Sequence, residues 1–122
     1  MYELSVRQHF DAAHALRGYK GKCESLHGHR FEVSVTVTAT QLNDIGIAYD
    51  FLDLKTHLKD LLSRFDHAYL NELSPFDKIN PSSENIARNV FEGLKTRLDG
   101  APVKLVAVDV WESPENHVRY TA

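Results

Sequence analysis

The sequence has a single cysteine, almost no excess charge and no long hydrophobic run, and each shortage closes off a class of protein. A lone Cys23 cannot form an intramolecular disulfide, so no bridge staples the chain, and a reducing, cytoplasmic setting is expected. Fourteen basic against seventeen acidic side chains leave a net charge of −3. That balance offers nothing to nucleic acid or to an anionic membrane. No apolar run approaches the roughly 18 residues of a membrane-spanning helix. The opening Met1-Tyr2-Glu3-Leu4-Ser5-Val6-Arg7 lacks the basic start and apolar stretch of a signal peptide and already reads as a strand. Internal repeats, low-complexity tracts and linkers are missing too. What is present is ordinary for one soluble globular domain spanning residues 1–122, with 43% hydrophobic and 25% charged residues. The exception is a set of seven histidines.

Periodicity divides the chain into two regimes. Tyr2, Leu4, Val6, Phe10 and Ala12 share one parity against Glu3, Ser5, Arg7 and Asp11, the pattern of a half-buried strand. A second strand sets Phe31, Val33, Val35 and Val37 against Glu32, Ser34, Thr36 and Thr38. A loop with Gly18 and Gly21 joins them. After a turn at 41–46 and a short extended piece at 47–49, helical spacing of Leu54, Leu58, Leu61, Leu62 and Phe65 predicts a helix over roughly 52–64. Ser82 is placed to cap a second helix, with Glu84 in its first turn, a core stripe of Ile86, Val90, Leu94 and Leu98, and Gly100 as the stop. Residues 103–112 and 116–121 return to strand and form a hairpin across Ser113-Pro114-Glu115. The expected fold is α+β: a four-stranded antiparallel sheet with two helices on one face and a Ser/Thr-rich, charged face turned to water or a lumen. Its open edges invite pairing between subunits.

In His27-Gly28-His29 the two imidazoles point to one side, with the parity of Phe31 and Val33. His14 has the parity of Phe10 and Ala12 on the first strand. Antiparallel pairing of the two strands brings His14, His27 and His29 together at one end of the apolar face. Three neutral imidazoles suit Zn²⁺ and leave a fourth position for water or substrate. Gly28 is expected to let the backbone come close where two ligands crowd one ion. Cys23, four residues before His27, admits three readings: a small buried hydrophobe, a fourth metal ligand, or a thiolate acting as base or nucleophile near a cation. Asp66-His67 can pair an acid with an imidazole, although the bare dipeptide carries little information. Glu112 ends the row Val106, Val108, Val110 and needs a partner there, either an ion pair or a ligand.

Six blocks, in order and spacing, resemble the family of 6-pyruvoyl-tetrahydropterin and 6-carboxy-tetrahydropterin synthases. They are Phe10-Asp11-Ala12-Ala13-His14, Cys23 to His29, Tyr49-Asp50-Phe51, Asp66-His67-Ala68-Tyr69-Leu70-Asn71, Asn80-Pro81-Ser82-Ser83-Glu84-Asn85 and Val110-Trp111-Glu112. The resemblance implies the tunnelling fold (T-fold), in which sheets of neighbouring subunits join into a barrel, usually in a homo-hexamer of two stacked trimers with active sites between subunits. It implies His14, His27 and His29 as zinc ligands, Cys23 as the catalytic thiol, and Asp66 with His67 as the proton-transfer pair. Glu112 becomes the carboxylate that grips the pterin, aided by Ser83 and Glu84. The implied substrate is 7,8-dihydroneopterin triphosphate. The Cys23-to-His27 spacing points to 6-carboxy-5,6,7,8-tetrahydropterin, acetaldehyde and triphosphate as products, in the queuosine pathway. Glu24 stands where a glutamate replaces the cysteine in a folate-pathway branch that makes 6-hydroxymethyl-dihydropterin, so a dual activity is an alternative, as is the 6-pyruvoyl product. Outside the family, a zinc hydrolase would use the same three histidines but leave Cys23 and Glu112 without a task. A metal-stabilised binding module is the non-enzymatic option.

Overall fold

A computed structural model describes residues 1–20 and 25–122. Strand β1 (Tyr2–His14) pairs antiparallel with β2 (His27–Ala39) over its whole length, from Tyr2 opposite Ala39 to His14 opposite His27. Helix α1 (Phe51–Leu62) follows, then a two-residue strand β3 (Ala68–Tyr69), a single 3-10 turn (Leu70–Glu72) and helix α2 (Ser83–Arg97). Strands β4 (Lys104–Ser113) and β5 (Asn116–Tyr120) close the fold as a hairpin. The sheet order is β3-β1-β2-β4-β5. The four expected strands are present and antiparallel. The addition is β3, which runs parallel to β1 through Ala12–Ala68 and Ala13–Tyr69 and makes the sheet mixed. Two residues are too few to show any periodicity in sequence.

Both helices cover one face. Asp50 caps α1 by accepting the Leu52 N–H at 2.8 Å, and Ser82 caps α2 by accepting the Asn85 N–H at 3.2 Å. A helix of 12 residues is marginal alone, and the buried Leu54, Leu58 and Leu62 hold α1 in place. Each such side chain contributes about 1.5–3 kcal/mol relative to exposure. The helices approach closely at Gly93, where a Cβ would meet the Leu61 side chain at 2.8 Å. Beneath them lie Phe10, Phe31, Val33, Val35, Val37, Val108 and Val110, all fully buried.

Three expectations need correction. The 47–49 segment, expected to be a short extended piece, bends at Ala48 and Tyr49. In β4 the register shifts opposite Thr36 and Val37, so Leu105 rather than Val106 packs with the core. The uncovered face is polar as expected, yet Ser34, Thr36 and Asp109 on it are buried. They sit in β2 and β4, inner strands of the sheet. Arg119 lies across Asp109, and Arg7 lies over the Trp111 ring.

Candidate active site

The long in-register pairing of β1 and β2 fixes the position of the histidines. His14 and His27 are cross-strand partners, and His29 faces Ala12 one step along the same face. Their rings stand 4.5–5.1 Å apart between centroids. β4 brings a carboxylate to the same end. Its register shifts by one residue between Trp111 and Ser113, leaving Glu112 as the extra residue of a bulge at the strand's end. Bulges of this kind re-aim a side chain. Glu112 Oε1 lies 3.0 Å from His29 Nε2, 3.6 Å from His14 Nε2 and 4.0 Å from His27 Nε2. The four donor atoms all fall within 4.8 Å of one another, a group that could hold a metal ion.

The protonation pattern favours a cation there. His14 Nδ1 lies 2.8 Å from the Pro81 carbonyl and His27 Nδ1 2.6 Å from that of Ser25. A carbonyl only accepts, so in the neutral rings Nδ1 carries the hydrogen and Nε2 presents its lone pair. This is the outer-shell arrangement that orients metal-ligating imidazoles. His14 Nε2 and His29 Nε2 are buried and make no hydrogen bond among the described residues, with Glu112 Oε1 3.6 Å from the first and 3.0 Å from the second. A buried polar atom without a partner costs about 1–3 kcal/mol. The lone pairs fixed in this way at His14 Nε2 and His27 Nε2 converge beside Glu112 and suit a shared cation. Burial holds the His14 and His29 imidazoles below the ordinary value of 6.5, so the ligand form prevails at neutral pH. Donors on one tetrahedral zinc lie about 3.3 Å apart, from bonds of 2.0–2.1 Å. The distances from Glu112 bracket that spacing, so its carboxylate borders the place where an ion held by the three imidazoles would lie.

Ser83, buried at the first residue of α2, donates its hydroxyl to Glu112 Oε2 at 3.4 Å and leaves Oε1 toward the imidazoles. Glu84 is exposed on the same turn and makes no hydrogen bond or ion pair among the described residues. Asp66 and His67 are placed elsewhere. Asp66 Oδ1 accepts the Asp11 N–H at 3.0 Å, and the His67 N–H bonds to the Asp11 carbonyl at 2.6 Å. His67 has a left-handed backbone (φ 57°) and an exposed ring 3.7 Å from Asp66 Oδ2. Neither belongs to the four-donor group. Cys23 and Glu24 lie outside the described residues. Gly28 needs a different account from the one expected. A Cβ there would meet nothing nearer than the Ala12 carbonyl at 3.9 Å, so crowding does not require glycine. Sequence reasoning missed the Pro81 and Ser25 carbonyls, for which no signal existed, because any residue type supplies a carbonyl.

The fold, a sheet with two helices on one face and this donor group at its end, places the chain among the pterin synthases. The chain belongs to the 6-pyruvoyl tetrahydropterin synthase family, whose model matches residues 3–122. It is 38% identical over 116 residues to a 6-carboxy-5,6,7,8-tetrahydropterin synthase of Synechocystis, with 91% of this chain and 86% of that one covered. It is 37% identical over 112 residues to a dihydroneopterin monophosphate aldolase of Pyrococcus furiosus, with 92% and 90% covered. The solved 6-pyruvoyl tetrahydropterin synthase of Caenorhabditis elegans superposes with a TM-score of 0.88 at 29% identity, covering 99% of this chain and 95% of that one. The protein is thus an enzyme, a lyase similar to 6-carboxytetrahydropterin synthase. No helix among the described residues is long and apolar enough to cross a membrane.

Proposed function

We propose that this chain, as one T-fold domain over residues 1–122, converts 7,8-dihydroneopterin triphosphate to 6-carboxy-5,6,7,8-tetrahydropterin with zinc at His14, His27 and His29. The observation that carries the reading is the convergence of the three imidazoles beside Glu112, with the buried Nε2 atoms of His14 and His29 making no hydrogen bond among the described residues. Likeness to 6-carboxy-tetrahydropterin synthases over most of the chain supports the reaction. Zinc held there supplies Lewis-acid polarisation of substrate oxygens.

The chain's own residues bind and move protons. Glu112 accepts the parallel N–H donors of the pterin ring, for which a carboxylate's two oxygens are well matched. Ser83 sets the carboxylate's orientation, and Glu84 lies on the same turn of α2. Cys23, as thiolate, takes a proton from the side chain of the substrate, and the Asp66–His67 pair returns one. The exposure of His67 and its separation from the four-donor group fit a site completed between subunits of a homo-hexamer in the cytoplasm. The second reading is the hydroxymethyl product made with Glu24, favoured by the likeness to the Pyrococcus furiosus aldolase.

Mass spectrometry of the products formed from 7,8-dihydroneopterin triphosphate by zinc-loaded protein tests both. Carboxy-tetrahydropterin is expected, and Cys23→Ala is expected to abolish it while retaining zinc. Hydroxymethyl-dihydropterin that disappears in Glu24→Ala would establish the second reading. Hydrolysis that persists in Cys23→Ala, with no new pterin, would replace both with a zinc hydrolase.

A further inference from the structure

Two asparagines of the sequence blocks have no part in the chemistry above, yet both clasp the chain just beyond His14. Asn71 Oδ1 accepts the Ala15 N–H and its Nδ2 donates to the Ala15 carbonyl, both at 2.9 Å. Asn80 repeats the arrangement two residues on, Oδ1 accepting from the Arg17 N–H and Nδ2 donating to the Arg17 carbonyl, again both at 2.9 Å. Residues i and i+2 of an extended segment present their N–H and C=O to one side, and a partner strand would exchange both bonds with each. Here β1 has ended, and two side-chain amides take the partner strand's place. The Arg17 guanidinium reinforces the clasp from the other direction, donating to the carbonyls of Phe76 at 2.8 Å, Asn71 at 3.3 Å and Ile79 at 3.4 Å.

The clasp closes a ring that includes a candidate metal ligand. Chain runs from His14 through Ala15 and Leu16 to Arg17, crosses the Asn80 amide, passes to Pro81, and returns from the Pro81 carbonyl to His14 Nδ1. The Asn80 carbonyl is itself held by Asn85 Nδ2 at 2.8 Å, which ties the ring to the start of α2. We infer that Asn80, with Asn71 beside it, is a positioning residue of the active site: it holds the Pro81 carbonyl against His14 and so fixes that imidazole as the Nδ1–H tautomer with Nε2 aimed at the site. A simple loop staple would need neither the pairing at residue 17 nor the adjoining carbonyl. The functional consequence rests on the metal reading; the tautomer does not.

The test measures both in the full chain. Long-range proton–nitrogen correlation spectra of metal-free protein with labelled histidine, at pH 8, report the His14 tautomer, and titration with Co²⁺ reports affinity and ligand-field spectrum. Wild type is expected to show His14 protonated at Nδ1. Asn80→Ala is expected to mix the tautomers and weaken cobalt binding by up to about 10-fold, the lower end of the cost of losing an outer-shell partner, because the Pro81 carbonyl remains but is no longer held. Asn80→Asp keeps the acceptor for the Arg17 N–H and should lie between them. Asn43 organises a remote turn by accepting from the Ile45 and Ile47 N–H groups, so Asn43→Ala should lower stability and move neither readout. An Nε2–H tautomer in wild type would overturn the inference, and this holds even where Asn80→Ala does not fold. So would an unchanged tautomer and affinity in a folded Asn80 variant. A wild-type protein that binds no cobalt but shifts tautomer in Asn80→Ala would sink the metal reading and leave the clasp standing.

Discussion

The two faces of the sheet are built by the same strands, yet they treat their polar groups in opposite ways. On the uncovered face the four long strands contribute to matched pairs: Arg30 with Asp11, Arg7 with Glu32, Arg119 and His117 with Asp109. Asp109 is almost fully buried there and accepts a hydrogen bond from Arg119 at 2.9 Å, with His117 a further 3.4 Å neighbour. On the covered face one end collects His14, His27, His29 and Glu112, and two buried imidazole nitrogens there make no hydrogen bond among the described residues. Burial alone therefore does not mark the site, because Asp109 is as buried as His14. The unmet valence does. Evolution of a stable fold removes unsatisfied buried atoms, and those that persist point to something that completes them.

The largest contrast comes from deleting one member on each face. His27→Ala removes a converging lone pair at a half-buried ring and is expected to weaken zinc binding at least about 100-fold, with little change in the stability of the metal-free chain. Arg119→Ala on the other face leaves Asp109 buried with only His117 at 3.4 Å. It should cost about 1–3 kcal/mol and leave zinc affinity alone; Arg119 is half exposed, which keeps the loss below that of a fully buried pair. Chelator competition and denaturant unfolding on both variants check the pair. If zinc affinity fell equally in the two, the faces would not be separable as argued.

A smaller effect separates the faces by pH. The His14 and His29 values are lowered by burial from 6.5, so below pH 6.5 the unfolded chain takes up protons before the folded one. Stability of the metal-free protein is then full above 6.5 and falls as the pH drops from there toward the folded values. Asp11 behaves differently, because its hydrogen bond to Arg30 lowers it from 3.8. Its contribution is present above 3.8 and is lost only as the pH falls through the lower, folded value. Denaturant midpoints between pH 8 and 5 should decline in wild type and decline less in His29→Gln, while Asp11→Asn leaves that slope untouched. An equal slope in His29→Gln would remove the histidines as its source.

Most of this arrangement was legible in the sequence because it depends on parity. Strand alternation placed His14, His27 and His29 with Phe10 and Phe31, and a full-length pairing brought them together. Parity also put Glu112 on that face. The distance that makes its carboxylate a neighbour of all three imidazoles comes from a one-residue bulge, for which the alternating row carried no signal. The same blindness put Val106 into the core in place of Leu105. The clasp by Asn71 and Asn80 was invisible for another reason. It joins residues more than 50 positions apart through side chains acting as backbone, and their motif shows only that asparagines are present. Asp66 and His67 were legible as a pair, but their place at the β1–β3 edge follows from a strand of two residues.

The smallest effect asks what holds the uncovered face together where it is most exposed. Arg7 reaches Glu32 at 3.4 Å and also lies 4.0 Å over the Trp111 ring, whose neighbour His117 stacks at 4.8 Å. The ion pair joins two side chains about half exposed, so water and salt screen it, and such pairs give about 0–1 kcal/mol. The ring contact is worth about 0.5–1 kcal/mol at an exposed site and is less sensitive to salt, since it also buries the apolar stem. Glu32→Gln removes the first and keeps the second; Arg7→Met removes both. We expect the unfolding free energy to change by under about 0.5 kcal/mol in Glu32→Gln and by about 1 kcal/mol in Arg7→Met, the difference surviving in high salt. Equal losses that vanish in high salt would make the ion pair the working contact and Trp111 a bystander.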